Sequence, residues 1–203
     1  MTGMTPGPSI YGVCKTPSRI ALGMSGCGSD RQDEWHRLLD VFTEAGGTLI
    51  DTARGYGTSE DTLGSWLATR GCRDDVIIQT KCGLSPECIL PDDNFPEMVR
   101  EELAASLRVL GTDYIDVYML HRDNQEKPVG EILEPLNEAL DTGAIHAIAA
   151  SNWEYRRLDE ANEYADTHGL RSFSVVSNNI SLARPAAAFY QGLVSTDRNA
   201  GEE

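Results

Sequence analysis

A carboxylate, a phenol, an ammonium and an imidazole each follow a short apolar run in this chain. GGTLIDTARGYG carries Asp51 and Tyr56, VIIQTK ends on Lys81, and YIDVYMLH ends on His121. A partly buried carboxylate needs a cation or several hydrogen bonds, and Lys81 is a natural partner for Asp51. Those two residues alone read equally well as a structural ion pair. Tyr56 lies between Gly55 and Gly57, where tight backbone leaves a ring open to a cleft. A neighbouring ammonium favours the phenolate and makes a phenol a better general acid, an effect worth ~10²–10⁴-fold. A loop tyrosine bonded to backbone is the plainer alternative. His121 could orient a substrate oxygen or share the proton, or simply be hydrogen-bonded at a strand end. The triplet His121-Arg122-Asp123 resembles that of kinases, but the kinase glycine loop and DFG are absent.

Two further strand ends carry small polar groups: Ser151-Asn152 and Ser177. They suit an amide-bearing ligand or, for Ser151 and Asn152, helix N-caps. Each feature is weak alone. Consecutive strand ends that are all polar form a pattern, because β/α barrels build active sites at the C-terminal ends of their strands.

The elements that would position these residues alternate along the chain. Strand-like runs fall at Arg19–Met24, Thr48–Ile50, Asp75–Thr80, Tyr114–Leu120, Ala144–Ala150 and Phe173–Val176. Between them, apolar residues recur at helical spacing. The stripes are Trp35, Leu38, Leu39, Phe42; Leu63, Trp66, Leu67; Val99, Leu103, Leu107, Leu110; Ile132, Leu133, Leu136, Leu140; and Leu158, Ala161, Ala165. Thr58 or Ser59 is placed to cap the second helix. Strand–helix alternation predicts parallel strands covered by helices, in a barrel or an open doubly wound sheet. The open sheet often carries GxGxxG after its first strand; here Gly23, Gly26 and Gly28 have the wrong spacing. The barrel is the favoured reading. About six units are present, whereas a closed barrel has eight. The expected organisation is a flexible segment over 1–17, rich in Pro, Gly, Ser and Thr, a partial barrel over 18–183, and an irregular acidic tail over 184–203.

Charge limits the partners. With 17 basic and 32 acidic residues the net charge is −15, which repels nucleic acid and anionic lipid. Five cysteines, none in CxxC spacing, read as free thiols in a reducing compartment and call for no metal. The N-terminus shows no signal-peptide core and no run is long enough to span a membrane. A cytoplasmic protein is expected.

The sequence resembles the aldo-keto reductase family. The resemblance rests on Thr48–Gly64 (TLIDTARGYGTSEDTLG), Val76–Cys82 (VIIQTKC), Ser106–Arg122 (SLRVLGTDYIDVYMLHR) and Gly143–Trp153 (GAIHAIAASNW), in a match running from about Arg19 to Val194. It implies a (β/α)₈ barrel that reduces an aldehyde or ketone with NADPH, or with NADH. In that setting Tyr56 is the proton donor, Lys81 the cation beside it, Asp51 the carboxylate holding Lys81, and His121 the group positioning the carbonyl. Ser151 and Asn152 match positions that hold the nicotinamide carboxamide, and Ser177 stands where many members have glutamine. The seventh and eighth units, which in the family supply the aromatic stacked on nicotinamide and the loops gripping the phosphates, are missing from the match. A non-catalytic, truncated member serving as a binding or regulatory subunit is the alternative. A Schiff-base aldolase using Lys81 would leave Tyr56, His121 and Asp51 coincidental. An incomplete barrel would expose two strand edges, through which self-association is expected.

Overall fold

The computed structural model describes residues 4–84, 90, 94–180 and 193–195. Six strands and five helices alternate: β1 (Ala21–Gly23), α1 (Gln32–Glu44), β2 (Leu49–Asp51), α2 (Ser59–Arg70), β3 (Ile77–Cys82), α3 (Phe95–Leu110), β4 (Ile115–Leu120), α4 (Val129–Asp141), β5 (Ile145–Ser151), α5 (Tyr155–His168) and β6 (Val175–Ser177). Every neighbouring pair is parallel and the sheet order is β1-β2-β3-β4-β5-β6. A doubly wound sheet reverses its strand order at a switch point. Strictly sequential order is that of a barrel, and the strands curl into a half-barrel, a partial (β/α)₈ fold.

The central strands are buried on both faces because both are covered. β3 and β4 are buried along their whole length, as parallel strands between two layers must be. Alternate residues go to different cores. Ile78, Tyr118, Leu120, Ile148 and Ala150 point outward and meet the helices, including Leu63, Trp66, Leu103 and Leu133. Ile77, Val117, Met119, Ala147 and Ala149 point into the barrel, with Leu49 and Val175 packed beside them. The edge strands β1 and β6 are only three residues long and partly exposed.

The segment read from composition as flexible, 1–17, is described from residue 4 onward, where it packs against the N-terminal end of the barrel. Pro6 bridges Ser18 in antiparallel fashion, and Ile10 and Val13 pack on the inward-facing cluster. Lys15 pairs with the buried Asp116 carboxylate at 2.9 Å and donates to the Val76 carbonyl at 2.6 Å. Gly12 (φ +90°) lies so close to the His146 carbonyl that a Cβ would meet it at 2.2 Å. Pro, Gly, Ser and Thr build tight turns as readily as loose chain, so composition could not separate the two.

The expected cap on α2 is also different. Thr58 makes no side-chain capping bond; its hydroxyl accepts from the Ser29 amide at 2.9 Å. Ser59 lies inside the helix and shares a 2.7 Å bond with the Thr52 hydroxyl. Ser151 and Asn152 do not cap α5, whose N-cap is Glu154. Cys88 and most of the 184–203 tail lie outside the described residues; Ser195 forms a parallel bridge with Asn179. Among the described residues no helix is long and apolar enough to cross a membrane, and no group of three His, Cys, Asp or Glu is placed to hold a metal ion.

Candidate active site

Strand alternation carries the inward face of each strand up to the C-terminal mouth. Two residues beyond Leu49 is Asp51; beyond Ile77 come Gln79 and then Lys81; beyond Met119 is His121; beyond Ala149 is Ser151. The apolar inner layer therefore gives way to a polar ring where the strands end, as the sequence reading expects.

The four candidate catalytic residues meet in that ring. The buried Lys81 ammonium donates to Asp51 Oδ1 at 2.6 Å and to the Thr52 carbonyl at 3.0 Å. It lies 4.8 Å from the centroid of the Tyr56 ring. The Tyr56 and His121 rings are 5.5 Å apart and nearly perpendicular, at 83°. The turn that brings Tyr56 over the mouth is tied by its own amide to the Ala53 carbonyl at 3.1 Å, and by the Arg54 amide to the Lys81 carbonyl at 3.1 Å. Gly55 permits the approach: a Cβ there would stand 2.9 Å from Leu84 and 3.7 Å from the His121 ring.

Electrostatics sets the state of His121. Burial pushes its pKa down, and the nearby Lys81 and Arg122 cations push it further, from 6.5 to about 3. The imidazole is neutral at any ordinary pH. Its Nδ1 is buried with no hydrogen-bond partner among the described residues. A neutral ring beside a cation can donate one hydrogen bond without adding charge.

Several residues that sequence reasoning passed over complete the surroundings. Gln79 donates its side-chain amide to Asp51 Oδ1 at 2.6 Å. Buried Glu60 accepts from Thr80 at 2.6 Å and from Arg54 at 2.7 Å, bracing the Tyr56 turn against β3. Glu102, whose carboxyl burial pushes up, accepts from the Gly83 amide at 3.2 Å. A cleft of about 250 Å³ lined by Arg54, Gly55, Lys81, Cys82, Leu84 and Glu102 opens there. The period-two rule placed Gln79 on the same face as Lys81, a signal that was available; Glu60 lies on a helix with no such marker.

Ser151, Asn152 and Ser177 are brought together as well, in bonds to the protein itself. Ser151 Oγ donates to the Ser177 carbonyl at 2.9 Å, so Ser177 enters through its backbone. Asn152 adopts a left-handed backbone (φ 59°) and its amide donates to Ser151 Oγ at 3.0 Å and to the His121 carbonyl at 3.3 Å. Its oxygen accepts from the Val194 amide at 3.3 Å.

A half-barrel whose strand ends gather a Tyr, a Lys–Asp pair and a neutral His defines a class, and the comparisons identify it. The profile of the Aldo/keto reductase family matches residues 19–196. The chain belongs to that family. A norsolorinic acid reductase from Emericella nidulans is 37% identical over 147 residues, 68% of this chain and 38% of that protein. An NADH-specific methylglyoxal reductase from Escherichia coli is 36% identical over 178 residues, 74% of this chain and 53% of that protein. The solved structure of a glycerol dehydrogenase from Gluconobacter oxydans superposes with a TM-score of 0.69 at 26% identity, over 83% of this chain and 53% of that one. The chain thus spans about 38–53% of the length of these relatives.

Proposed function

We propose that this chain reduces the carbonyl of an aldehyde or ketone to an alcohol, with Tyr56 as proton donor. A reduced nicotinamide, NADPH or alternatively NADH, supplies the hydride when bound. The residues present fit the nicotinamide end of such a cofactor. Asn152 and Ser151 offer amide and hydroxyl groups at the mouth beside His121, and an incoming carboxamide would exchange for their internal bonds. His121 donates to the carbonyl oxygen from its neutral ring and holds it toward the Tyr56 hydroxyl. As the carbonyl carbon gains hydride, the oxygen becomes an alkoxide and takes the Tyr56 proton. Lys81 stabilises the phenolate left behind, and Asp51 keeps Lys81 in place. The observation that carries the reading is the convergence of Lys81 on Asp51 and on the Tyr56 ring, with His121 against that ring.

One observation favours a second reading. The hydrogen bonds of Asn152 and Ser151 are satisfied within the chain, and Val194 sits on the Asn152 oxygen. That arrangement would suit a non-catalytic binding or regulatory subunit. Titration with NADPH and with NADH, followed through quenching of Trp35, Trp66 and Trp153, separates the two. Saturable quenching together with reduction of a test aldehyde is expected. Tyr56→Phe should bind cofactor as the parent does and lose at least ~10²-fold in turnover. Retained turnover in that variant overturns the assignment of the donor. No saturable change at millimolar cofactor leaves the subunit reading. In either case no strand among the described residues pairs on the outer side of β1 or β6, which supports self-association; sedimentation over a concentration series would reveal it as rising mass.

A further inference from the structure

We propose that Gln79 is a positioning residue for this reduction: its side-chain amide pins the Asp51 carboxylate and sets how much of that negative charge reaches Lys81. The proposal rests on the functional reading above and deepens it. Gln79 and Asp51 are direct partners across the β2–β3 ladder, and Gln79 is buried. Its amide nitrogen and the Lys81 ammonium both donate to Asp51 Oδ1, each at 2.6 Å. One carboxylate oxygen has lone pairs for both donors.

The arrangement has an electrostatic consequence. The Asp51 side chain is 21% exposed, yet Lys81 alone holds its Oδ1 at 2.6 Å, so the carboxylate stays against the ammonium when the amide is removed. A charge-assisted bond from that neutral amide disperses part of the carboxylate's charge. Lys81 is then less fully countered, and the net positive field at the Tyr56 ring is larger. That field favours loss of the phenolic proton, which is the step the reduction needs. An apolar side chain of the same size would fill the space without dispersing that charge. Gln79→Met therefore removes the donor while keeping the volume. Gln79→Glu keeps the shape and replaces a donor with a second carboxylate within hydrogen-bond distance of Asp51, so the pair gives up its last proton only at raised pH and then adds a negative charge beside Lys81.

The test is a pair of pH–rate profiles on these variants, with kcat and KM resolved separately. Turnover that requires a protonated phenol falls as pH rises. A weaker positive field lets the phenol hold its proton to higher pH, so the basic limb should move up in both variants, by about half a unit or more. The poorer acid should lower kcat by about 3- to 10-fold with KM changed less than about twofold. Gln79→Glu should add a new ionisation on the acidic side from the shared carboxylate proton. Basic limbs that coincide with the parent in both variants would reduce Gln79 to packing. A second readout needs neither substrate nor cofactor: ultraviolet titration of phenolate, taken as the spectrum with Tyr56 minus the spectrum with Tyr56→Phe, in each Gln79 background. The midpoint should rise from Gln to Met to Glu, and an unmoved midpoint overturns the proposal even in a chain without turnover. Failure of the functional reading looks different: Tyr56→Phe would keep its turnover, or no turnover would be seen at all.

Discussion

Asp51, Lys81 and His121 share one face of the sheet because each lies two residues beyond an inward neighbour: Leu49, Gln79 and Met119. That much was legible, since a run of apolar residues ending in a polar one fixes both the strand and the side its last residue faces. What could not be read was which bonds the polar residues make. Ser151 and Asn152 were placed at the mouth, yet their bonds to Ser177, His121 and Val194 depend on backbone groups that no side-chain pattern encodes. The same holds for the buried setting of His121, which leads to a prediction. An unfolded histidine titrates near 6.5 and the folded one near 3. Between those values the unfolded chain binds a proton that the folded chain refuses. Stability contributed by the neutral ring is complete above pH 6.5 and is lost progressively as pH falls toward 3. The loss at the acid end is on the order of a few kcal/mol. His121→Asn should flatten that dependence. Urea unfolding of parent and variant at pH 7 and pH 4.5 is the check, and the gap between them should narrow at the lower pH. A gap independent of pH would mean that the imidazole takes up its proton readily in the fold.

Amphipathic stripes gave the four helices whose one face meets the sheet, and in the structure a glycine stands at or just past each C-cap: Gly46, Gly111, Gly143 and Gly169. The second helix was less legible. Leu63, Trp66 and Leu67 marked it, but α2 also buries Ser59, Glu60, Thr62 and Gly64, a wide surface of small and polar groups with no apolar period. Gly64 shows why. A Cβ there would meet the Val109 carbonyl at 2.3 Å and Leu110 Cα at 3.0 Å, so α2 and α3 touch backbone to backbone. A missing side chain leaves no trace in a hydrophobic pattern. Glycine to alanine in a free helix stabilises by about 1 kcal/mol. Here the added methyl has a rigid wall in front of it, and overpacking of about 1–3 kcal/mol should win. Gly64→Ala is expected to lower the thermal midpoint by several degrees; a rise would mean the helices separate freely. At the other end of the barrel, Lys15→Met leaves the buried Asp116 with Arg73 and the Ile78 amide as its partners. The lost charged bond should cost about 1.5–3 kcal/mol in a urea titration and leave turnover per folded molecule unchanged, because Lys15 lies at the opposite end of the strands from Tyr56.

At the scale of the molecule, repeated strand–helix units predicted the parallel sheet, and only strand order decided between a curled and an open one. Charge was legible from the start but not its distribution. The chain carries −15 overall, while Lys81, Arg122 and Arg54 lie near the mouth. On the proposed function, a dinucleotide cofactor bearing several negative charges would meet a long-range repulsion from the whole surface and, at the strand ends, short-range fields from cations already paired there, Lys81 with Asp51 and Arg54 with Glu60. Salt separates them by distance. Raising ionic strength from 0.01 to 0.15 M shortens the screening length from about 30 Å to about 8 Å. The distant acidic surface is then largely hidden, whereas charges partly buried at the mouth are screened far less. Association should therefore become several-fold faster with added salt, the reverse of a basic binding protein. NADPH should gain more than NADH, since its extra phosphate feels the repulsion more strongly. Stopped-flow quenching of the tryptophans, with Trp153 next in sequence to Asn152, would follow both cofactors at a series of salt concentrations. An association rate that falls with salt would show that the cations at the mouth reach beyond the acidic surface and steer the cofactor in.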